Sequence, residues 1–121
     1  MPFEKILTKL FEVNVETFNE ADYEKLSNIL TPYTELISPE INLPKIKADA
    51  VHLKSFKEIL SYWIEINKSF DNSITRYECI EVGKKSLVRC FYEKLDMTID
   101  TEIHFNEYAK ITKIVNHLIE E

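Results

Sequence analysis

Glycine is almost missing from this chain, with Gly83 the single example in 121 residues, and prolines number four. That excludes flexible linkers and low-complexity segments, and no internal repeat is visible. Two cysteines, Cys79 and Cys90, are too few for a disulfide framework, so both are expected as free thiols filling apolar space. Basic patches are also lacking: the 15 Lys and Arg are scattered singly among 21 Asp and Glu, for a formal net charge of −6. Such a surface repels phosphate backbones and argues against nucleic acid as a partner. There is no long apolar run either, because the opening amphipathic pattern is interrupted by Thr8, Lys9 and Glu12. Neither a signal peptide nor a membrane span is expected, which places the protein in the cytoplasm with no membrane partner.

What remains is 45% hydrophobic and 30% charged, the composition of a globular domain. A chain of this length suits one domain, 1–121, able to bury roughly two-thirds of its unfolded surface. Phe3, Ile6, Leu7, Leu10, Phe11 and Phe18 recur at three- and four-residue spacing after Pro2, predicting a helix to about Asn19. Asp22 stands where the N-cap of a second helix belongs, with Leu26, Ile29 and Leu30 turned inward and Pro32 as its stop. Residues 33–37 read as a short strand, and the stretch from Pro39 to Lys54 as a long connection, either a lid or a strand pair. Ser55-Phe56-Lys57-Glu58 is a capping box opening a third helix, whose buried face carries Phe56, Ile59, Leu60, Trp63, Ile64 and Phe70.

From Ser73 the pattern becomes β-branched and aromatic. Four strands are predicted at 73–82, 85–94, 97–106 and 110–118, with turns at Gly83, Asp96 and Asn106-Glu107-Tyr108. Helices followed by a meander make an α+β domain. Alternation sets Met97, Ile99, Thr101, Ile103 and Phe105 on the face toward the helices, and Asp100, Glu102, His104 and Asn106 on the other, where Arg89 and Glu93 can answer their charges.

Three stretches carry a family resemblance. Thr17 to Pro39, T-F-N-E-A-D-Y-E-K-L-S-N-I-L-T-P-Y-T-E-L-I-S-P, contains Asn19-Glu20-Ala21-Asp22, similar to an N-x-G-D element with Ala21 in place of glycine. Ser55 to Trp63 resembles a helix ending in two aromatics, and Ile103-His104-Phe105-Asn106 with Lys110-Ile111 resembles a closing hairpin. In this order they resemble the NTF2-like superfamily, which includes ketosteroid isomerases and SnoaL-like polyketide cyclases. The resemblance implies a cystatin-like cone of three N-terminal helices packed on a curved antiparallel sheet.

It also implies a site. The positions of the isomerase oxyanion hole and base fall on Asn14, Thr101 and Ser38, and a serine without a base partner does not abstract a carbon-bound proton near neutral pH. The implied ligand-binding residues are Asn14, Phe18, Ser38, Trp63, Tyr92, Thr101, Ile103, Ile114 and Asn116, with Cys90 and Leu118 also lining the cone. This nearly uncharged lining suits a small apolar molecule held by a few neutral hydrogen bonds, with no cofactor. Asn14 and Asn116 need partners for their amides, whether ligand, water or backbone, and Tyr62 with Trp63 is either a stacking wall or helix core. A SnoaL-like cyclase, isomerase or dehydratase is the alternative, using Asp100, Glu102, His104 or His52 as acid or base; a protein-interaction module is a third reading. Asp100, Glu102 and His104 stand roughly 7 Å apart along one strand face, too far to converge on a metal ion. His117 falls on the outer face with no role. Leu87, Phe91, Lys113 and Val115 on that face suit a homodimer contact, as is common in this superfamily.

Overall fold

The computed structural model describes residues 2–12, 20–43, 46–69 and 76–119. Helix α1, Pro2–Glu12, drives Leu7 to full burial and packs Phe3, Ile6, Leu10 and Phe11 against the core. Its predicted extension to Asn19, with Phe18, lies outside the described residues. Helix α2 spans Glu20–Ile29 and buries Leu26 and Ile29. It begins two residues before Asp22, which is therefore not its N-cap; Glu20 and Asp22 share the first turn, where a carboxylate meets the positive end of the helix dipole.

Strand β1, Leu30–Ser38, follows α2 without a gap and is longer than the predicted 33–37. Pro32 does not end the helix but sits inside this strand, at a register slip between Leu30 and Glu35. A bulge is where a strand tolerates the missing N–H of proline. Thr34, fully buried, fixes the bulge: its Oγ1 accepts from Thr31 N at 2.8 Å and donates to Ile111 O at 2.7 Å. Tyr33 is thereby turned outward and left 83% exposed.

The stretch expected as one long connection holds three short strands. β2, Ile41–Leu43, and β3, Ile46–Ala48, pair as a separate antiparallel sheet, and β4, Val51–Leu53, joins the main sheet beside β1. Helix α3, Phe56–Ser69, opens on the predicted box. Glu58 N donates to Ser55 Oγ at 3.2 Å, while the Glu58 carboxylate accepts from that same hydroxyl at 3.1 Å.

The meander follows as β5, Arg76–Glu81, β6, Lys85–Tyr92, β7, Met97–Phe105, and β8, Ile111–Ile119. The six-stranded sheet has the order β4-β1-β8-β7-β6-β5, antiparallel throughout except for the parallel β1–β8 pair. Asp96 and Ala109 take left-handed backbone angles at the two later turns, with φ of 49° and 59°. Asn106 Oδ1 fastens the last one by accepting from Tyr108 N and Lys110 N at 2.9 and 3.0 Å. Gly83 has an ordinary φ, and its turn is tied instead by Ser86 Oγ, which donates to Gly83 O at 2.8 Å. The core lies between the helices and one sheet face, centred on Leu7, Leu26, Leu36, Ile59, Ile103 and Ile111.

Candidate functional site

Strand register sorts the inner face of the sheet into rows. Leu36, Ile114, Ile103 and Ser86 make one row, Asn116, Thr101 and Val88 the next, and Leu118, Ile99 and Cys90 the third. Along β8 burial falls from Ile111 and Ile114, both buried, to Asn116 and Leu118, both half-buried. The cone therefore has a closed apolar end and a second end, carrying Thr101 and Asn116, that is more open at β8 while Thr101, Val88, Ile99 and Cys90 stay buried. The first row forms the boundary, with Ile103 and Ile114 packed into the core.

The polar end carries neutral groups. Thr101 Oγ1 donates to Asn116 Oδ1 at 2.9 Å and lies 4.0 Å from Cys90 Sγ. Buried Ser38, at the end of β1, hydrogen-bonds the hydroxyl of Tyr62 on α3. Burial pushes the Tyr62 phenol up, only partly offset by Ser38. Tyr92 is also raised by burial and stands near Cys90 and Tyr62. Burial drives the Cys90 thiol to about 12, so it stays protonated and inert as a nucleophile. Trp63 is partly buried and packs against the core, on the same helix face as Ile59.

The structure thus brings Ser38, Tyr92, Thr101, Ile103, Ile114 and Asn116 to the inner face, with Trp63 on the packed face of α3. Asn14 and Phe18 lie outside the described residues. Tyr62 is expected with Trp63 as either a stacking wall or helix core; its hydroxyl beside Ser38 is the group sequence reasoning missed. The spacing of Tyr62 three residues after fully buried Ile59 is the signal that points inward. An open hollow of about 420 Å³ between β4 and α3 is lined by Leu53, Lys57, Glu58, Ser61, Glu65 and the same Tyr62.

The acid and base candidates stand on the opposite face. Asp100 receives Arg89 Nε at 2.8 Å and Nη2 at 3.0 Å, and these bonds hold its carboxyl below the usual range despite burial. Burial pushes Glu102 up, but Lys85 at 3.3 Å and His104 at 3.4 Å more than offset it and keep the carboxyl below its ordinary value. His117 reaches the same Glu102 at 3.7 Å. His52 on β4 pairs with Glu35 at 2.7 Å, which lowers the Glu35 carboxyl. Glu93 does not answer β7 as expected: it lies beyond β6, in a 3-10 turn, 3.8 Å from Arg76. Among the described residues, no carboxylate or imidazole lies on the inner face of β1, β6, β7 or β8, and no group of three or more His, Cys, Asp and Glu can hold a metal. Both cysteines are free, Cys79 exposed and Cys90 buried.

The chain matches no protein-family model and no curated protein. Solved structures do resemble it. A SnoaL-like protein of unknown function from Burkholderia thailandensis is 15% identical, with 97% of each chain covered and a TM-score of 0.61. IdmH, a candidate polyketide cyclase from Streptomyces antibioticus, is 14% identical over 98% of this chain and 92% of its own, with a TM-score of 0.64. An NTF2-like protein of unknown function from Silicibacter pomeroyi is 9% identical over 96% and 92%, at 0.59. Three helices on a curved, mostly antiparallel sheet, shared over nearly the full length of these proteins, make this an NTF2-like, cystatin-like α+β fold.

Proposed function

We propose that this protein binds a small, largely apolar, uncharged molecule in the polar end of its cone. Ser38, Tyr62, Thr101 and Asn116 orient it, and Tyr92 and Trp63 wall it, above the buried row of Ile103 and Ile114. The observation that carries this reading is the division of polar groups across the sheet. The inner face pairs neutral hydroxyls and an amide, whereas on the outer face Asp100 pairs with Arg89, Glu102 with Lys85 and His104, and Glu35 with His52. A charged ligand would have no counter-charge among the described inner-face residues, while a neutral one finds apolar walls and convergent hydrogen bonds. Native mass spectrometry of the purified protein against a denatured control tests it. Retention of a neutral small molecule that is lost in Asn116→Leu supports the reading, and retention unaffected by Asn116→Leu and Ser38→Ala refutes the assigned site.

Turnover is the second reading, favoured by the likeness to a candidate polyketide cyclase. It requires a proton-transfer group that the described inner-face strands do not supply.

The outer face suits a second copy of the chain. Its strands carry Glu35, Glu78, Glu81, Asp100 and Glu102 against Arg76, Lys85, Arg89 and Lys113, five acids to four bases, or −1 against −6 for the whole chain. Leu87, Phe91 and Val115 lie half-buried among them, with Arg76 stacked 3.8 Å over the Phe91 ring. A nearly neutral face lets two acidic chains meet without strong repulsion. Sedimentation as a monomer at micromolar concentration contradicts this homodimer. The two free thiols fit a reducing, cytoplasmic setting, and no described helix is long and apolar enough to cross a membrane.

A further inference from the structure

Three neutral groups on three successive strands form a hydrogen-bond chain with a direction. Cys90 on β6 lies 4.0 Å from Thr101 Oγ1 on β7, which lies 2.9 Å from Asn116 Oδ1 on β8. The threonine hydroxyl has one proton to give. An amide carbonyl is a strong acceptor and a thiol sulfur a weak one, so that proton goes to Asn116 and the thiol proton turns toward Thr101. Cys90 is buried and its thiol, pushed up to about 12, keeps its proton at neutral pH. The chain therefore runs from Cys90 through Thr101 and ends with the Asn116 carbonyl already engaged. Both Nδ2 hydrogens of Asn116 are left over, and among the described residues no acceptor meets them.

We propose that Asn116 is the specificity-determining residue of the cone, a fixed amide donor that selects neutral ligands carrying a carbonyl oxygen, with Thr101 the positioning residue that sets the amide's orientation. This rests on the ligand-binding reading above and names the ligand's chemistry. A freely turning asparagine offers either a donor or an acceptor and discriminates little. One whose oxygen is held by Thr101 offers donors alone. Asn116 is half-buried, between buried Ile114 and the open end, so a carbonyl group can reach its amide from the open side.

Titration calorimetry with two matched neutral probes tests this. 2-Acetylnaphthalene and 2-isopropenylnaphthalene have nearly the same shape, the second carrying CH2 in place of the carbonyl oxygen. Water solvates the ketone better, so any preference for it must come from the site. The ketone is expected to bind roughly five- to tenfold more tightly, as one net hydrogen bond provides. Thr101→Ser keeps this ratio and Thr101→Val lowers it. Asn116→Asp, which retains an acceptor for Thr101 but removes the donors, abolishes it and favours 1-(2-naphthyl)ethylammonium instead. A purely structural role for Thr101 moves the melting temperature and leaves the ratio alone. Equal affinity for ketone and alkene overturns the inference while the binding reading stands. Binding of neither probe overturns that reading for compounds of this size, and the ligand-free protein then decides the inference. The Asn116 side-chain amide resonances must shift in Thr101→Val and not in Thr101→Ser, and unchanged resonances in Thr101→Val overturn it.

Discussion

The two ends of the cone treat buried polar atoms differently. At the closed end Thr34 spends its hydroxyl chiefly on the backbone, bonded to Thr31 N and Ile111 O with the Thr31 hydroxyl 3.1 Å away, beside a packed apolar core. At the open end Thr101 and Ser38 bond to other side chains, and the Asn116 amide has hydrogens left over. Polar groups committed to backbone stabilise a fold, whereas polar groups with spare capacity on a concave face recognise something. If that division is right, mutations at the closed end act on stability and those at the open end on binding. The largest effect belongs to Leu36→Ala. Leu36 is fully buried, so its truncation leaves a cavity and is expected to cost about 3 kcal/mol by urea denaturation. Thr34→Val comes next at about 2 kcal/mol, because the isosteric methyl strands a buried amide and loses the tie to Ile111. A loss below half of that would mean that the Pro32 bulge does not depend on Thr34.

The open end was partly legible from sequence because the inner face of β7 repeats every second residue. Met97, Ile99, Thr101, Ile103 and Phe105 are all buried, while His104 and Glu102 lie on the other face, as period-two reading requires. The helix cap was equally local: Ser55 caps Glu58 N as indicated, while the Glu58 carboxylate takes the Ser55 hydroxyl in place of a backbone amide. What could not be read was non-local or too short. Strands β2, β3 and β4 have three residues each, less than two periods of any pattern. Pro32 reads as a helix stop because proline usually breaks one, yet its place in β1 is set by Ile111, 79 residues away, through Thr34. Tyr62 belongs to the site through Ser38, a contact between α3 and β1 that spacing along the helix only hints at.

The outer face supplies an intermediate case, a buried charge that is fully paired. Asp100 sits on β7 between Ile99 and Thr101, is 8% exposed and takes two hydrogen bonds from Arg89. Asp100→Asn keeps the shape but removes the charge, and is expected to cost about 1–2 kcal/mol at pH 7. The folded carboxyl is held below its ordinary value by Arg89. Its contribution is thus full above the unfolded aspartate pKa of about 4 and disappears as pH falls through the lower folded value. Wild type and Asp100→Asn should then converge in stability when melts are compared between pH 7 and pH 2. A constant gap over that range would assign the loss to packing instead of charge.

The smallest effect on stability is the one that separates the two ends most sharply. Asn116 is half-buried and its partner is another side chain, so Asn116→Leu leaves the buried Thr101 hydroxyl without its acceptor. The gain in apolar packing against Ile114 and Ile103 offsets part of that, and the net change is expected within about 1 kcal/mol. Binding of 2-acetylnaphthalene should nonetheless fall roughly five- to tenfold, since the donor is gone. Thr34→Val should do the reverse, lowering stability and leaving the affinity of the protein that remains folded unchanged. If instead Asn116→Leu destabilises as much as Thr34→Val, the Thr101–Asn116 pair is a structural tie of the same kind, and the open end is core that happens to be polar.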